Sequence, residues 1–485
     1  MLSLGAVHLR RVVDKSSPQI VRVMTTSSTP TRSDHTQGYQ AMGSFHSENV
    51  DDLMAKSDEE YQPPPLPFAT NTSPPSSIPD DVFYGDTTTD NFLLDRQRWT
   101  FLNHGAFGAA LKVGYQRAEQ WRYHLERQPL HYFDRDLLPH LVYSARRLAE
   151  MCHAPRDATT IIPNVTYGLN TVLNGYAREY PNPSHVILWD TSYGSLKKMA
   201  HAYCGKVTEI PVSDYFDRWD ADNMKDPADI FVQALEDTLA GVDTTNALLV
   251  LDHTTSNTAL NMPLESLSKL AKERNMLVMV DGAHGLLAQD LNLSALPHVD
   301  FYLTNGHKWM ACPRGIGILY CPSQTLRDSV LEQPACMSHG VGQGFQSRFL
   351  WDGCRDYAAA LSVPAVLDYW QERGTAMTQR DIQTKLNNAV ELLCAMWQTS
   401  TLAPMSMHAP MMALVKLPAH LQTSGSNATS DDAKRVQDYL FDQFIEVPIK
   451  CIRGNLYVRI SCHVYNEMEE YDHLGRVLLK YKPFV

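Results

Sequence analysis

The sequence predicts an α/β protein: a large domain on a mainly parallel, seven-stranded sheet, followed by a small C-terminal α+β domain. Three observations carry this. Seven apolar runs of four to seven residues, TTII, HVILWD, KVTEIPV, ALLVLD, LVMVD, DFYLT and GIGILYC, follow one another between about residues 159 and 321, mostly with helical stretches between them. Runs this short and apolar, alternating with helices, mark strands buried on both faces of a parallel sheet. Beyond Tyr357 the order becomes mixed: a long helix, strands near Met412–Lys416, Ile445–Ile452 and Leu456–His463, and helices over 431–444 and 467–480, the pattern of a small α+β domain. Finally, 485 residues, 44% of them hydrophobic, can bury a sizeable core and are expected to divide into two packed domains.

Composition narrows the function. The net charge is −12, and no Lys/Arg cluster is interleaved with aromatics, which argues against nucleic acid and for a small-molecule partner. No apolar run approaches the ~20 residues that span a bilayer, so no membrane partner is expected. Nine cysteines without a CxxC spacing form neither a disulfide framework nor a zinc pattern, so a reducing compartment and no metal are expected. The sequons at Asn71, Asn164, Asn292 and Asn427 then read as chance, since no secretory signal precedes them.

In chain order, residues 1–35 carry Arg10, Arg11, Lys15, Arg22 and Arg32 against Asp14 and Asp34, among many hydroxyls. That composition suits a mitochondrial transit peptide or equally a disordered tail, so the location is mitochondrial or cytoplasmic. Residues 36–80, with PPPLP and SPPSSIP, are too proline-rich and apolar-poor to fold. The expected organisation is therefore a disordered segment over 1–80, a large domain over 81–355 and a small domain over 356–485.

The chemistry centres on residues 276–310. The run Met276–Val280 ends in Asp281, and Val299–Leu303 leads to Lys308. In an open α/β sheet the carboxyl ends of the strands form the ligand crevice, so this carboxylate and this amine converge. The pair suits pyridoxal 5′-phosphate, which needs an amine for attachment, a carboxylate to keep its pyridine nitrogen protonated, and a phosphate cradle.

VDGAH followed by TNGHKW, with FLNHGAFG, PNVTYGLN, YGSLKK, WDGCRDY and YVRISCHVYN in this order, resembles the class V aminotransferase superfamily of pyridoxal-phosphate fold type I over about residues 98–480. Within it the sequence is most similar to the branch of isopenicillin N epimerase-like proteins, plant-type L-cysteine desulfhydrases and hercynylcysteine sulfoxide lyases.

Read with that resemblance, the elements carry these expectations. FLNHGAFGAA is a short strand and a glycine turn; the resemblance turns His104 to the substrate, while a turn satisfied by its own backbone is the other reading. A helix over Leu111–Gln128 stops at Pro129, and a second runs over Leu141–Cys152. Between them the resemblance brings Tyr132 to the substrate for proton transfer, against the alternative of a buried structural tyrosine. In PNVTYGLN, Thr166 and the backbone N–H groups after Asn164, beginning with Val165, open a helix where orphan donors favour phosphate; Thr166 as N-cap uses the same geometry. Tyr193 lies past the strand ending in Asp190, placed to stack on the cofactor ring or to pack in the core. LDHTTSNT offers Asp252, His253 and Ser256, of which His253 is nominated for the cofactor pocket. The resemblance gives His284 the cofactor's phenolic oxygen, and Asn305 and His307 flank Lys308 near the phosphate; Trp309 reads as packing.

SHGVGQGF and WDGCRDY are implied to complete the site of a partner subunit, hence a homodimer with shared active sites. Cys354 departs from the family's GTRD, and a thiol is a poorer donor to the cofactor phosphate than a hydroxyl; Arg355 and Asp356 remain, with Arg355 placed for substrate. Arg459 shares a strand face with Tyr457 and Ser461 by period two. The resemblance makes it the grip on the substrate's α-carboxylate, against a surface salt bridge.

The reaction favoured by the QPLHYFDRDL, YGSLKK and LDHTTS blocks is carbon–sulfur β-elimination from cysteine or a cysteine S-conjugate, giving pyruvate and ammonia. An amino-acid epimerase or aminotransferase would use the same site, and a non-catalytic binding protein is opposed by intact Lys308, Asp281 and Arg459. A desulfurase would need a persulfide cysteine in a C-terminal loop, and LPAHLQTSGSNATSDD has none.

Overall fold

Strands of four or five residues with every side chain buried need neighbours on both edges and a layer on both faces. The computed structural model, which describes residues 50–68, 91–219, 226–422 and 428–482, supplies both. After a two-residue strand β1 (Thr100–Phe101), the seven expected runs form β2 (Thr159–Ile162), β3 (His185–Trp189), β4 (Lys206–Ile210), β5 (Leu248–Asp252), β6 (Leu277–Asp281), β7 (Phe301–Asn305) and β8 (Gly317–Tyr320). They make one sheet in the order β2-β8-β7-β6-β5-β3-β4, parallel except that β8 runs against β2 and β7. Only β4, at the edge, leaves most of its side chains partly open. The chain steps outward from β3 to β4 and then returns to lay β5 on the other side of β3. Such a reversal opens a crevice at the strand ends, where ligands bind.

Past the sheet, β9 (Met412–Lys416), β10 (Ile445–Glu446), β11 (Ile449–Ile452) and β12 (Asn455–Ser461) follow. Three of them form an antiparallel sheet in the order β11-β12-β9, while β10 pairs in parallel with β1. The single strand expected over Ile445–Ile452 is thus two, divided at Val447–Pro448, because proline has no N–H to continue a ladder. The long helix expected after Tyr357 is three segments, Ala358–Leu361, Val363–Arg373 and Thr375–Trp397. One break precedes Pro364, which lacks the interior donor. The other is Gly374, with φ 82°. No helix among the described residues is long and apolar enough to cross a membrane.

One expectation is corrected. Within the segment read as disordered, residues 50–68 are folded onto the large sheet's helices; residues 1–49, with the transit-peptide reading, and 69–80 lie outside the described residues. The helix Val50–Ala55 buries Val50, Leu53 and Met54 against helices Leu137–Met151 and Phe345–Leu350. Buried Arg146 donates to the carbonyls of Leu53 (3.0 Å), Met54 (3.1 Å) and Lys56 (2.9 Å) and lies 3.9 Å over the Tyr61 ring. Asp51 accepts from the Gln346 N–H at 3.0 Å. Composition misleads here because a few apolar residues and one guanidinium on another helix do the fixing. Arg146→Ala costs this docking about 2–3 kcal/mol, so trypsin is expected to cut after Lys56 roughly 30–100-fold faster, read by timed limited proteolysis.

Candidate active site

The floor of the crevice is two carboxylates. Asp281 ends β6 and accepts from the Ala283 N–H at 3.0 Å. Asp252 ends β5 directly opposite it in the strand register and accepts from Ser192 Oγ at 2.8 Å, across the β3–β5 reversal. Both are buried, and among the described residues neither has a Lys, Arg or His within ion-pair distance. Burial raises both above the usual carboxylate range, Asp252 to about 7 with the Asp281 charge adding to the rise. Such a pair calls for a positive group that the chain itself does not place there.

Lys308 reaches this floor from the turn after β7. Its Nζ lies 3.0 Å from His284 Nε2, and the Trp309 indole N–H donates to His284 Nδ1 at 3.2 Å. With Nδ1 accepting, the neutral ring carries its proton on Nε2 and donates to Lys308, which must then offer a lone pair. The pKa directions agree. Burial, with the charges of Lys308 and Arg459, holds His284 well below its ordinary value, and burial pushes Lys308 down to about 8 against the pull of Asp281. A neutral amine is the nucleophilic form. Trp309, expected only to pack, also sets a tautomer.

His104 is corrected. It is fully buried; Nε2 donates to the Lys308 carbonyl (3.1 Å) and Nδ1 accepts from the Tyr465 hydroxyl (2.9 Å), leaving nothing for a substrate. It stacks on His463 (4.1 Å) and Trp309 (5.4 Å), and His463 in turn holds the Trp309 carbonyl (3.0 Å). Gly108, at φ 67°, lies so close beneath that a Cβ would sit 1.8 Å from the His307 carbonyl. The FLNHGAFG turn is therefore a backing plate for the lysine.

Arg459 is buried rather than part of a surface salt bridge. It donates through Nη1 to the Ser256 carbonyl and through Nη2 to Asn103 Oδ1 (3.2 Å), while Nε has no partner. Burial lowers it to about 10, and among the described residues no carboxylate neutralises it. It lies close enough to lower both Lys308 and His284.

The Aminotransferase class-V family model matches residues 131–474. The chain belongs to the class-V aminotransferase family. A probable chloroplastic L-cysteine desulfhydrase of Arabidopsis thaliana is 29% identical over 397 residues, 77% of this chain and 81% of the relative. Isopenicillin N epimerase of Streptomyces clavuligerus is 25% identical, over 78% of this chain and 93% of the relative. The fold is shared with the cystine C–S lyase C-DES, solved with its product cysteine persulfide, at TM-score 0.63 and 22% identity over 79% of this chain and 98% of that one.

Pyridoxal 5′-phosphate is the cofactor of class-V aminotransferases, and the residues here fit it. Asp281 suits the protonated ring nitrogen, Lys308 the covalent attachment, His284 a ring oxygen, and the start of helix Val165–Glu179 the phosphate. Two details of the phosphate end differ from expectation. The N-cap is Asn164, accepting from Tyr167 N–H at 2.9 Å, and the Val165 N–H is taken by Asn305 Oδ1 at 3.0 Å. Thr166 is left exposed at the helix start. His307, held neutral by burial at about 4, has a buried Nδ1 without a partner.

Not every nominated residue of this class-V chain gathers here. His253 points its Nδ1 to the Tyr302 hydroxyl (2.7 Å), and the group its loop gives the crevice is Asp252. Asp252 had a sequence signal of its own, since it ends an apolar run just as Asp281 does. Tyr193 stands 47% exposed beside Ser192, with a ring face open. Tyr132 is corrected: it is buried among Trp121, His124 and Phe133 in a π-helical turn, because an aromatic core on helix Lys112–Arg127 claims the ring. Its titrating neighbours are Asp356, Asp136, Arg355 and Cys354, not Lys308. Cys354 is exposed, and Arg355 pairs with Asp352 and covers the Tyr357 ring at 4.1 Å.

Lys308 is neutral above its pKa of about 8. Trp309→Phe frees His284 to move its proton to Nδ1 and accept from a lysine ammonium, so the Lys308 pKa rises. The pH midpoint for covalent attachment of pyridoxal phosphate to the apoprotein, followed by absorbance, is expected to move up by roughly one unit.

Proposed function

We propose that the protein is a pyridoxal-phosphate-dependent carbon–sulfur β-lyase that converts cysteine or a cysteine S-conjugate, with one water consumed, to pyruvate, ammonia and the sulfur leaving group: hydrogen sulfide from cysteine, a thiol from a thioether conjugate, a sulfenic acid from a sulfoxide. The observation that carries this reading is the buried Lys308 amine, its pKa lowered to about 8, within electrostatic reach of the Asp281 carboxylate and of the Arg459 guanidinium, which has no carboxylate partner among the described residues. Arg459 receives the α-carboxylate in two parallel hydrogen bonds and so fixes which Cα bond faces Lys308. The bound cofactor supplies an electron sink for the pair left at Cα. Lys308, released on substrate binding, takes the α-proton, and His284, kept neutral, does not compete for it. Asp281 keeps its charge beside the ring nitrogen. Tyr193, 47% exposed just past the end of β3, would be available to stack on the cofactor ring and leave its other face to the substrate.

Elimination is favoured over epimerisation or transamination by the plant relatives in Arabidopsis thaliana and Oryza sativa subsp. japonica whose names are L-cysteine desulfhydrase, 26–29% identical to this chain. Exposed Cys354 and its neighbour Arg355, neither of which contacts Lys308, support a homodimer in which this face serves the neighbouring copy. Exposed Phe107 (70%) and Leu130 (74%) give such a contact apolar area. The basic, acid-poor composition of residues 1–35 supports delivery to an organelle such as the mitochondrion.

The test is proton NMR of the cofactor-loaded protein in deuterated water with L-cysteine and a cysteine sulfoxide conjugate, following pyruvate and the α-proton together. Pyruvate is expected; loss of the α-proton signal without pyruvate moves the assignment to epimerase or transaminase. Lys308→Ala is expected to lower turnover by about a thousandfold or more, and survival of turnover in that variant refutes the site.

A further inference from the structure

One cation beside the site has no carboxylate partner among the described residues and no role in the scheme above. Lys450 on β11 stands opposite Tyr457, and Arg459 lies two residues further along β12, so the two share a face of the antiparallel pair. Arg459 Nη1 donates to the Ser256 carbonyl, and Lys450 Nζ donates to Asn257 Oδ1 at 3.2 Å. Consecutive residues of one loop thus hold the two cationic heads side by side. Both bind only neutral groups. The other cations lining the cleft that Lys450 faces, Arg453 and Lys434, are already paired with Asp217 and Asp438. Asp190, the carboxylate in that lining, is occupied by the N–H and hydroxyl of Ser213.

A half-buried cation without a counter-charge is costly unless a ligand brings one. Burial and the Arg459 charge push the Lys450 amine down to about 8. The cleft it faces holds about 510 Å³ and is lined by polar groups, among them Thr191, Ser213, Asn257 and Thr258, together with Ala433, Ile449 and Ile452. That volume accepts a small substituent of several non-hydrogen atoms, and an amine without a counter-charge at its wall favours an anionic one.

We propose that this cleft receives an oxyanion at the far end of the substrate, so that Arg459 takes the α-carboxylate, Lys450 takes a second acidic group, and dianionic cysteine S-conjugates are the preferred substrates. The proposal rests on the amino-acid reading of the same site, though not on the fate of the carbon–sulfur bond. Lys450 is a specificity residue that touches the substrate's distal group and leaves the reacting atoms to Lys308.

The test compares S-carboxymethyl-L-cysteine with S-carbamoylmethyl-L-cysteine, which match in shape and differ in distal charge. With the holoenzyme, KM is expected to favour the carboxylate by about tenfold or more, as for one charge-assisted hydrogen bond. Lys450→Met brings the ratio near one, and Lys450→Arg retains a preference. Calorimetric titration of the cofactor-loaded Lys308→Ala protein reads the same ratio in Kd without turnover. A preserved Kd ratio with no pyruvate from the active enzyme would refute the lyase reading and leave this one standing. Equal affinity for both compounds in the unmodified protein, or equal weakening of both by Lys450→Met, overturns it.

Discussion

A carboxylate buried at the end of a parallel strand, with no ion-pair partner among the described residues, is the constraint around which this protein is arranged. Asp281 and Asp252 cannot both stay charged and dry at low cost, and burial raises the proton affinity of each. A positive ring nitrogen resolves the conflict. The same dryness suppresses the charge of Lys308, so a single physical condition, exclusion of water from the ends of β5, β6 and β7, prepares both the amine and its electrostatic counterpart.

Keeping that lysine in place takes residues from three distant parts of the chain. The Lys308 and Trp309 carbonyls are held by His104 and His463, stacked on each other. The Gly105 N–H donates to Ser461 Oγ at 3.2 Å, and β1 pairs with β10. The turn before the first helix and the C-terminal sheet are therefore one wall, and Arg459 projects through it between Asn103 and Ser256. Substrate grip and lysine support share this wall, which is why His104 reads as functional although it touches no substrate. The C-terminal sheet also presents Lys450 beside Arg459, on the same face of the β11–β12 pair.

Much of this was legible in the chain. All seven sheet strands announce themselves as short apolar runs; Asp281 and Arg459 stand at strand positions whose direction follows from period two and from the carboxyl-edge rule, and Lys308 lies in the turn just past β7 at the same edge. His253 and Tyr132 were misjudged because each lies in a turn, where no period fixes a side chain. Tyr302 claimed the one ring, and an aromatic cluster around Trp121 the other. Residues 50–68 were misjudged for a related reason, since their docking is written largely in Arg146, some ninety positions away.

By itself the sequence determined the α/β class, the family and the cofactor, and singled out Lys308, Asp281 and Arg459 as the residues to look for, because strands, their ends and short motifs are local and periodic. Only the tertiary structure decided which nitrogen of His284 holds the proton, that His104 buttresses the Lys308 turn, that Asp252 joins Asp281, and that Lys450, with no carboxylate partner among the described residues, stands beside Arg459. Those facts are contacts between residues far apart in the chain, and no local period encodes which distant group will meet a side chain once the core has closed.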